Sequence, residues 1–457
     1  MTWANKTAFI LMCAMIVFTT LAYGTVHQPT ISLFYIGVTV LALLWSVDGL
    51  QSGAVRFSTS WLQLPLIAAA VYGLIQVMPF GSFTAAAGIS GVPRMISLDP
   101  SATQANALHF LFLFLFLSFA LVLTDSASRL SKLAGLITVF GTLYAFFAIL
   151  QSVLSPDKIY GIYERAFAVP FGSFVSRHNF AAYMEMTIAI PLGLLFAGAV
   201  PRDKRLLYGT AIALMGTALV LSGSRGGFVA LIAEVALMLM LTMRSRRGKR
   251  VGARVALAVV LLLIIVGGSF FVGGESSLTR IAETQADGGK SIDRAYIWGV
   301  TLNIIRANMP LGAGFGAYGV AFTPFDKYSG MERVEQAHND YLQVASDAGL
   351  VGIVIGAFFL FALYKTGREA LAVENVYRRG IAIGALAGIF AILVHSVFDF
   401  VLHTTAISVL FLTLIALLTG SRGRYKDDYS ESDPSHKRWR SGGSVAPISL
   451  GRGRPGR

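Results

Sequence analysis

Asn106-Ala-Leu-His-Phe-Leu-Phe-Leu-Phe-Leu-Phe-Leu-Ser-Phe-Ala-Leu-Val-Leu-Thr124 decides the fold class. It runs without a Lys, Arg, Asp or Glu for about the 20 residues that an α-helix needs to cross a bilayer. Comparable stretches lie at 8–26, 31–47, 61–79, 131–153, 179–200, 205–221, 227–243, 254–273, 347–364, 380–398 and 403–420. The chain of 457 residues is 55% hydrophobic and 13% charged, whereas a soluble domain carries about a quarter charged residues. The expectation is an all-α polytopic membrane protein with about twelve transmembrane helices.

The series breaks once. After Val272 about 70 polar, glycine-rich residues intervene, ending in Ala337-His338-Asn339-Asp340-Tyr341-Leu342, before the last three apolar spans. The organisation reads as helices one to nine over 1–273, a long loop with an interfacial helix over 274–346, helices ten to twelve over 347–420, and a disordered basic tail over 421–457. That tail either touches anionic lipid or is a solvated segment that helps fix orientation, the plainer and favoured reading. The single cysteine, Cys13, lies inside the first span. This excludes an intramolecular disulfide and a Cys-based metal site.

The net charge of +13 suggests nucleic acid until its distribution is read. Of the 37 Lys and Arg residues, 26 fall on the side that holds Lys6, Arg244–Arg254 and the tail. Basic residues favour the cytoplasm. Both termini are therefore expected inside and the 80–105, 154–178 and 274–346 segments outside, and no nucleic-acid partner is expected. Residues 1–24 imitate a signal peptide, with Lys6, an apolar run and Leu21-Ala22-Tyr23-Gly24. A retained first span is preferred because the second follows within a few residues; charge counting does not decide between them.

Four constellations carry candidate chemistry. Ser222-Gly-Ser224-Arg225-Gly226-Gly227 sits between spans seven and eight. Glycines permit close approach, the free N–H groups of the next helix favour an anion, and Arg225 presents a forked cation to phosphate oxygens. The plainer reading is a tight turn with a snorkelling Arg. Arg294 follows with Tyr296 and Trp298, on a stretch with apolar residues at 297, 298, 301/302 and 305. That spacing is helical and suits an interface, with or without a ligand for the Arg. His338-Asn339-Asp340 precedes span ten. A neutral His can accept a proton, although Asn339 or Asp340 could equally be a helix cap with His338 incidental.

The fourth set is Arg177-His178-Asn179 with Glu185, together with Glu234, and with His395 and Asp399 four apart on one helix face near His403. Buried ionisable groups in a bilayer are costly and face the bundle interior. Either a substrate-cavity lining or a structural hydrogen bond suits each of them. The Gly-x-Gly-x-Gly of 310–319 follows no strand, so tight turns are the default and a dinucleotide site is not expected. There is no Asp-x-Asp or His-x-x-x-His. No metal and no cofactor are expected.

Together, Ser222-Gly-Ser-Arg-Gly-Gly227, Arg294-Ala-Tyr-Ile-Trp-Gly299, Pro310-Leu-Gly-x-Gly-x-Gly-x-Tyr318 and Ala337-His-Asn-Asp-Tyr-Leu-Gln343 with Gly349-Leu-Val-Gly352 resemble the O-antigen ligase and polymerase superfamily. The diagnostic region spans about 205–365. The resemblance implies a GT-C-like layout in the bacterial inner membrane. It also implies metal-independent, inverting transfer of a glycan on the periplasmic face. The donor would be undecaprenyl-diphosphate-linked and the acceptor lipid A–core or another lipid-linked glycan, with membrane lipid around them. By motif, two arginines that hold the diphosphate fall on Arg225 and Arg294, and a histidine that activates the acceptor hydroxyl falls on His338. Ser224, Gly226, Tyr296, Trp298, Asn339, Asp340, Arg177 and His178 are the expected substrate-binding neighbours.

Polymerases of this superfamily often carry Arg-x10-Gly motifs. Here Ile305 and Ala317 stand eleven residues after Arg294 and Arg306, which favours a ligase. Ser97-Leu-Asp-Pro-Ser101 in the long 80–105 loop is similar to members linked to exopolysaccharide assembly, so a polymerase stays open. Readings from other classes are a lipid-linked glycan transporter dependent on Glu185 and Glu234, and a non-catalytic assembly scaffold docking through its tail.

Overall fold

A computed structural model describes residues 2–82, 93–164, 169–243, 294–327 and 333–423, with scattered helical residues between 252 and 265. Among them there is no named strand. The helices are α1 Trp3–Leu21, α2 Gln28–Ser52, α3 Leu64–Gln76, α4 Pro100–Leu123, α5 Ala127–Leu154, α6 Arg177–Ala197, α7 Arg205–Leu221, α8 Arg225–Met243, α9 Arg294–Asn308, α10 Tyr318–Phe322, α11 Asp340–Leu371, α12 Val376–His395 and α13 Thr405–Ser421.

Nine helices among the described residues are long and apolar enough to cross a membrane, and Trp61–Gln76 and Thr405–Ser421 are shorter apolar helices. The chain is an all-α polytopic membrane protein. The expected span at 254–273 and the tail lie mostly outside the described residues.

Side-chain caps set many boundaries, since the first N–H groups of a helix need acceptors. Asp99, Ser126, Ser176, Asn339 and Asn375 accept from the first turns of α4, α5, α6, α11 and α12. The tenth span starts earlier than expected: α11 begins at Asp340 rather than 347. The eleventh ends earlier: α12 stops at His395, so Asp399 is not on the helix with His395 but in the turn beyond it.

The bundle centres on α6, whose spanning window is 89% buried, whereas the corresponding window of α2 is 17% buried. Helices α6 and α12 meet backbone to backbone. A Cβ on Gly193 would lie 2.4 Å from the Gly384 nitrogen, and one on Gly384 would lie 2.5 Å from the Ala189 oxygen. Small residues at such crossings let membrane helices pack by van der Waals contact, where the hydrophobic effect does not drive association.

At one end of the bundle Asn5 and Arg56 bond Asp48, Arg56 also reaches Asp125, and Arg129 donates to the Asn5 and Leu123 carbonyls, tying α1, α2, α4 and α5. The opposite end carries the candidate site. There the glycine-rich loop after α9 lies on α3, α4 and α11. Gly312, Gly314 and Gly316 all have positive φ. A Cβ on Gly312 would strike the Asp347 carbonyl at 2.4 Å. Gln76 Nε2 donates to the Leu311 and Asp347 carbonyls, and Thr103 Oγ1 donates to Phe315 O. The glycines serve backbone packing, as the tight-turn reading expected.

Helix α9 buries Ile297, Val300, Thr301 and Ile304, while Leu302 is exposed. Its inward face is rotated from the expected 297, 298, 301/302 and 305 because it packs against Tyr318, Phe322 and Ala337.

Candidate functional site

Five segments converge at this end: the 222–227 turn, the start of α6, the first turn of α9, residues 337–340, and the turn 395–402 between α12 and α13. Their common point is Asp399. One carboxylate oxygen is 3.1 Å from His338 Nδ1. The other is 3.4 Å from an Arg294 guanidinium nitrogen and 3.8 Å from His178 Nδ1. Arg294 also donates to the Phe398 carbonyl at 2.6 Å. Burial raises the Asp399 carboxyl. The hydrogen bond from His338 and the positive charge of its neighbours, Arg294 being the permanent one, outweigh burial and hold it well below the usual carboxylate range.

The carboxylate settles the imidazole. With Asp399 as acceptor, the neutral form of His338 carries its proton on Nδ1 and has its lone pair on Nε2. The His338 side chain is 40% exposed and that of Arg294 43%, so both keep surface for a ligand. His338 is also one of the described non-glycine residues in the left-handed region, at φ 48°, a conformation that persists only when the surroundings enforce it. They do. Trp298 Nε1 donates to Ala337 O at 3.0 Å, and Ala337 N donates to Gln343 at 2.8 Å. Asn339 Oδ1 caps α11 while its Nδ2 donates to Val397 O. Asp340 N donates to Ser396 O, and its carboxylate accepts from Ser396 Oγ and the Val401 and Leu402 N–H groups.

Trp298, Asn339 and Asp340, expected as substrate neighbours, thus have protein partners that fix the His338 backbone. Tyr296 OH likewise donates to Asp326 and accepts from Lys327 N.

Around Arg225, Ser224 is the cap of α8: its carbonyl accepts from Phe228 N and its Oγ from Gly227 N. The same Oγ is 3.0 Å from His178 Nδ1, which links the turn to Asp399. Arg225 is the first residue of α8 and is exposed. The glycines after it face protein. A Cβ on Gly226 would lie 2.9 Å from the His395 ring and 3.2 Å from Phe398 Cβ, and one on Gly227 would lie 2.7 Å from Ala181. Their smallness lets α8 start against α6 and α12, rather than opening its backbone to a ligand. Arg177 opens α6 partly buried, its N–H bonded to Val169 O.

The structure therefore gathers His338, Arg294 and His178 on one carboxylate and brings the Arg225 turn to it through Ser224. Sequence reasoning named Asp399 only as a possible cavity lining or structural hydrogen bond beside His395, and did not pair it with His338 or Arg294. Its only signal was an acidic residue among histidines at the end of an apolar span.

No curated protein matches the sequence. Residues 210–357 match the family model described as O-Antigen ligase. This stretch contains Arg225, Arg294 and His338, with His178 before it and Asp399 beyond it. That match supports a place for residues 210–357 in the O-antigen ligase and polymerase superfamily.

Proposed function

We propose that this chain is a ligase that transfers a glycan from an undecaprenyl-diphosphate donor to lipid A–core on the periplasmic face of the bacterial inner membrane. The observation that carries the reading is the single Asp399 carboxylate shared by His338 and Arg294. It sets a proton acceptor beside a fixed cation.

In this reading the Arg294 and Arg225 guanidiniums face the diphosphate. The acceptor hydroxyl lies against His338 Nε2. Its oxygen attacks the anomeric carbon, and its proton passes to Nε2. The bond from that carbon to the diphosphate oxygen breaks. The leaving group departs with its charge opposite the arginines, and a single displacement inverts the anomeric centre. Asp399 holds the imidazole in the acceptor tautomer and stabilises the imidazolium that forms. The periplasmic assignment rests on the excess of Lys and Arg at the end of the bundle opposite the site.

The test is transfer by Arg225→Ala, Arg294→Ala and His338→Ala in a deletion strain. Each is expected to abolish product while staying in the membrane, and full activity in all three would sink the reading. Surface glycan of the deletion strain decides the acceptor. Bare lipid A–core with polymer left on undecaprenyl diphosphate means a ligase. Core capped by one repeat unit, or loss of exopolysaccharide alone, means a polymerase.

A further inference from the structure

One ionisable pair lies beneath the site and has no part in the chemistry above. Glu185, in α6, and His395, the last residue of α12, are both fully buried, with Glu185 Oε2 3.0 Å from His395 Nδ1. Glu185 Oε1, His395 Nε2 and both oxygens of the nearby buried Glu234 have no hydrogen-bond partner among the described residues. The pair is therefore held by one contact. Such a pair is a poor source of stability, because apolar residues of similar volume commonly serve as well, and an ionisable group at membrane depth marks a functional role by default.

Its position suggests what that role is. The His395 ring is wedged under the start of α8: a Cβ on Gly226 would lie 2.9 Å from Cδ2 and 3.0 Å from Nε2, and one on Gly227 3.5 Å from Cε1. The four residues after His395 hold the other half of the site. Ser396 O receives Asp340 N, Val397 O receives Asn339, Phe398 O receives Arg294, and Asp399 receives His338. His395 is thus the joint between the Arg225 turn and the His338 cluster.

We propose that Glu185 and His395 are positioning residues for glycan transfer: the Glu185 carboxylate fixes the His395 ring beneath Gly226, and the ring sets the spacing between Arg225 and the base. This rests on the transfer reading above, which assigns Arg225 and His338 to opposite halves of one reaction. A joint of this kind acts on turnover more than on donor binding, since a misplacement of about 1 Å costs on the order of 10²-fold in rate.

The experiment uses full-length protein in liposomes with a lipid-linked glycan donor. Glu185→Gln keeps an oxygen for His395 Nδ1 and is expected within about 3-fold of wild-type turnover, whereas Glu185→Leu and His395→Leu should lose at least about 10-fold in kcat with donor KM little changed. Gly226→Ala should be deleterious alone and add nothing in the His395→Leu background, because the ring it strikes is gone. Should His395→Leu fail to reach the membrane, His395→Asn, which keeps a donor for Glu185 but lacks the ring, carries the same cycle. Wild-type kcat in the Leu variants, or additive losses with Gly226→Ala, overturns the inference. A dead Glu185→Gln also overturns it and makes the carboxylate a proton carrier instead. If His338→Ala and Arg225→Ala are themselves active, the transfer reading falls; if they are dead and the pair variants active, only the positioning role falls.

Discussion

Asp399→Asn is the most revealing single change. The side chain is 10% exposed, so little water can replace what is removed. Asparagine keeps the shape and can still accept from the Phe400 N–H, which now meets Asp399 Oδ1 at 2.9 Å. It loses the charge that fixes the His338 tautomer. A hydrogen bond to a charged group contributes about 1.5–3 kcal/mol. The Arg294 contact is at 3.4 Å with that side chain 43% exposed, so it adds at most about 1 kcal/mol. The imidazole term dominates. If it is expressed in the transition state, it corresponds to about a 10- to 100-fold loss of turnover. The effect should fall on kcat, since the exposed edges of Arg294 and Arg225 stay available to the donor. The assay is transfer from a lipid-linked donor in proteoliposomes, normalised to folded protein. Asp399→Asn at wild-type kcat would refute the claim that this carboxylate orients a base. An equal loss through donor KM alone would assign Asp399 to holding Arg294 instead.

Other outcomes follow from the same geometry. Ser224→Ala removes the α8 cap and the contact to His178; it should cost about 1 kcal/mol of stability, read as a lower melting temperature in detergent. Gly349→Ala should fail to accumulate, because Gly349 sits at φ 57° and a Cβ there would lie 2.2 Å from the Pro310 carbonyl. Gly356→Ala, with nothing within 4 Å, should be neutral or stabilising by up to about 1 kcal/mol; comparable membrane levels of the two variants would contradict the packing. Asp399 has a depressed pKa in the folded state, so its contribution is present above its ordinary value of 3.8 and is lost as pH falls below that. Unfolding followed from pH 6 to 3 should therefore show a steeper acid loss for the wild type than for Asp399→Asn, and equal slopes would contradict the depressed carboxyl.

The helices were legible because the length of an apolar run maps directly onto a bilayer crossing. The start of α11 was not, because Asp340, Gln343 and Asp347 occupy its first turns and read as loop. They are buried there because each finds partners on other segments, Asp340 on Ser396, Gln343 on the Ala337 N–H and Asp347 on the Gly316 N–H. Arg225, Arg294 and His338 stood out as unusual cations and a histidine beside glycines and aromatics. Asp399 stood out only beside His395, and its role did not, since its partners are 61 and 105 residues away in sequence. The backbone carbonyls of 396–398 that seat Asn339, Asp340 and Arg294 carry no side-chain signal at all. The glycines of the Arg225 turn looked like ligand access and proved to be helix packing, a distinction only the neighbouring His395 reveals.

The contact of Gly193 with Gly384 has a mechanical meaning. Where their backbones touch, at Gly193 and Gly384, α6 and α12 have no side chain between them to repack, so sliding at that crossing is resisted. Helix α6 carries His178 in its first turn and α12 ends at His395, both at the site. The two rods therefore form a fixed jaw whose tips present His178 on one side and the Asp399 turn on the other. A long lipid chain entering such a clamp cannot open it by spreading these rods. The compliance has to come from the loosely seated periphery, such as α2, and from α9, which carries Arg294 to the jaw from outside it.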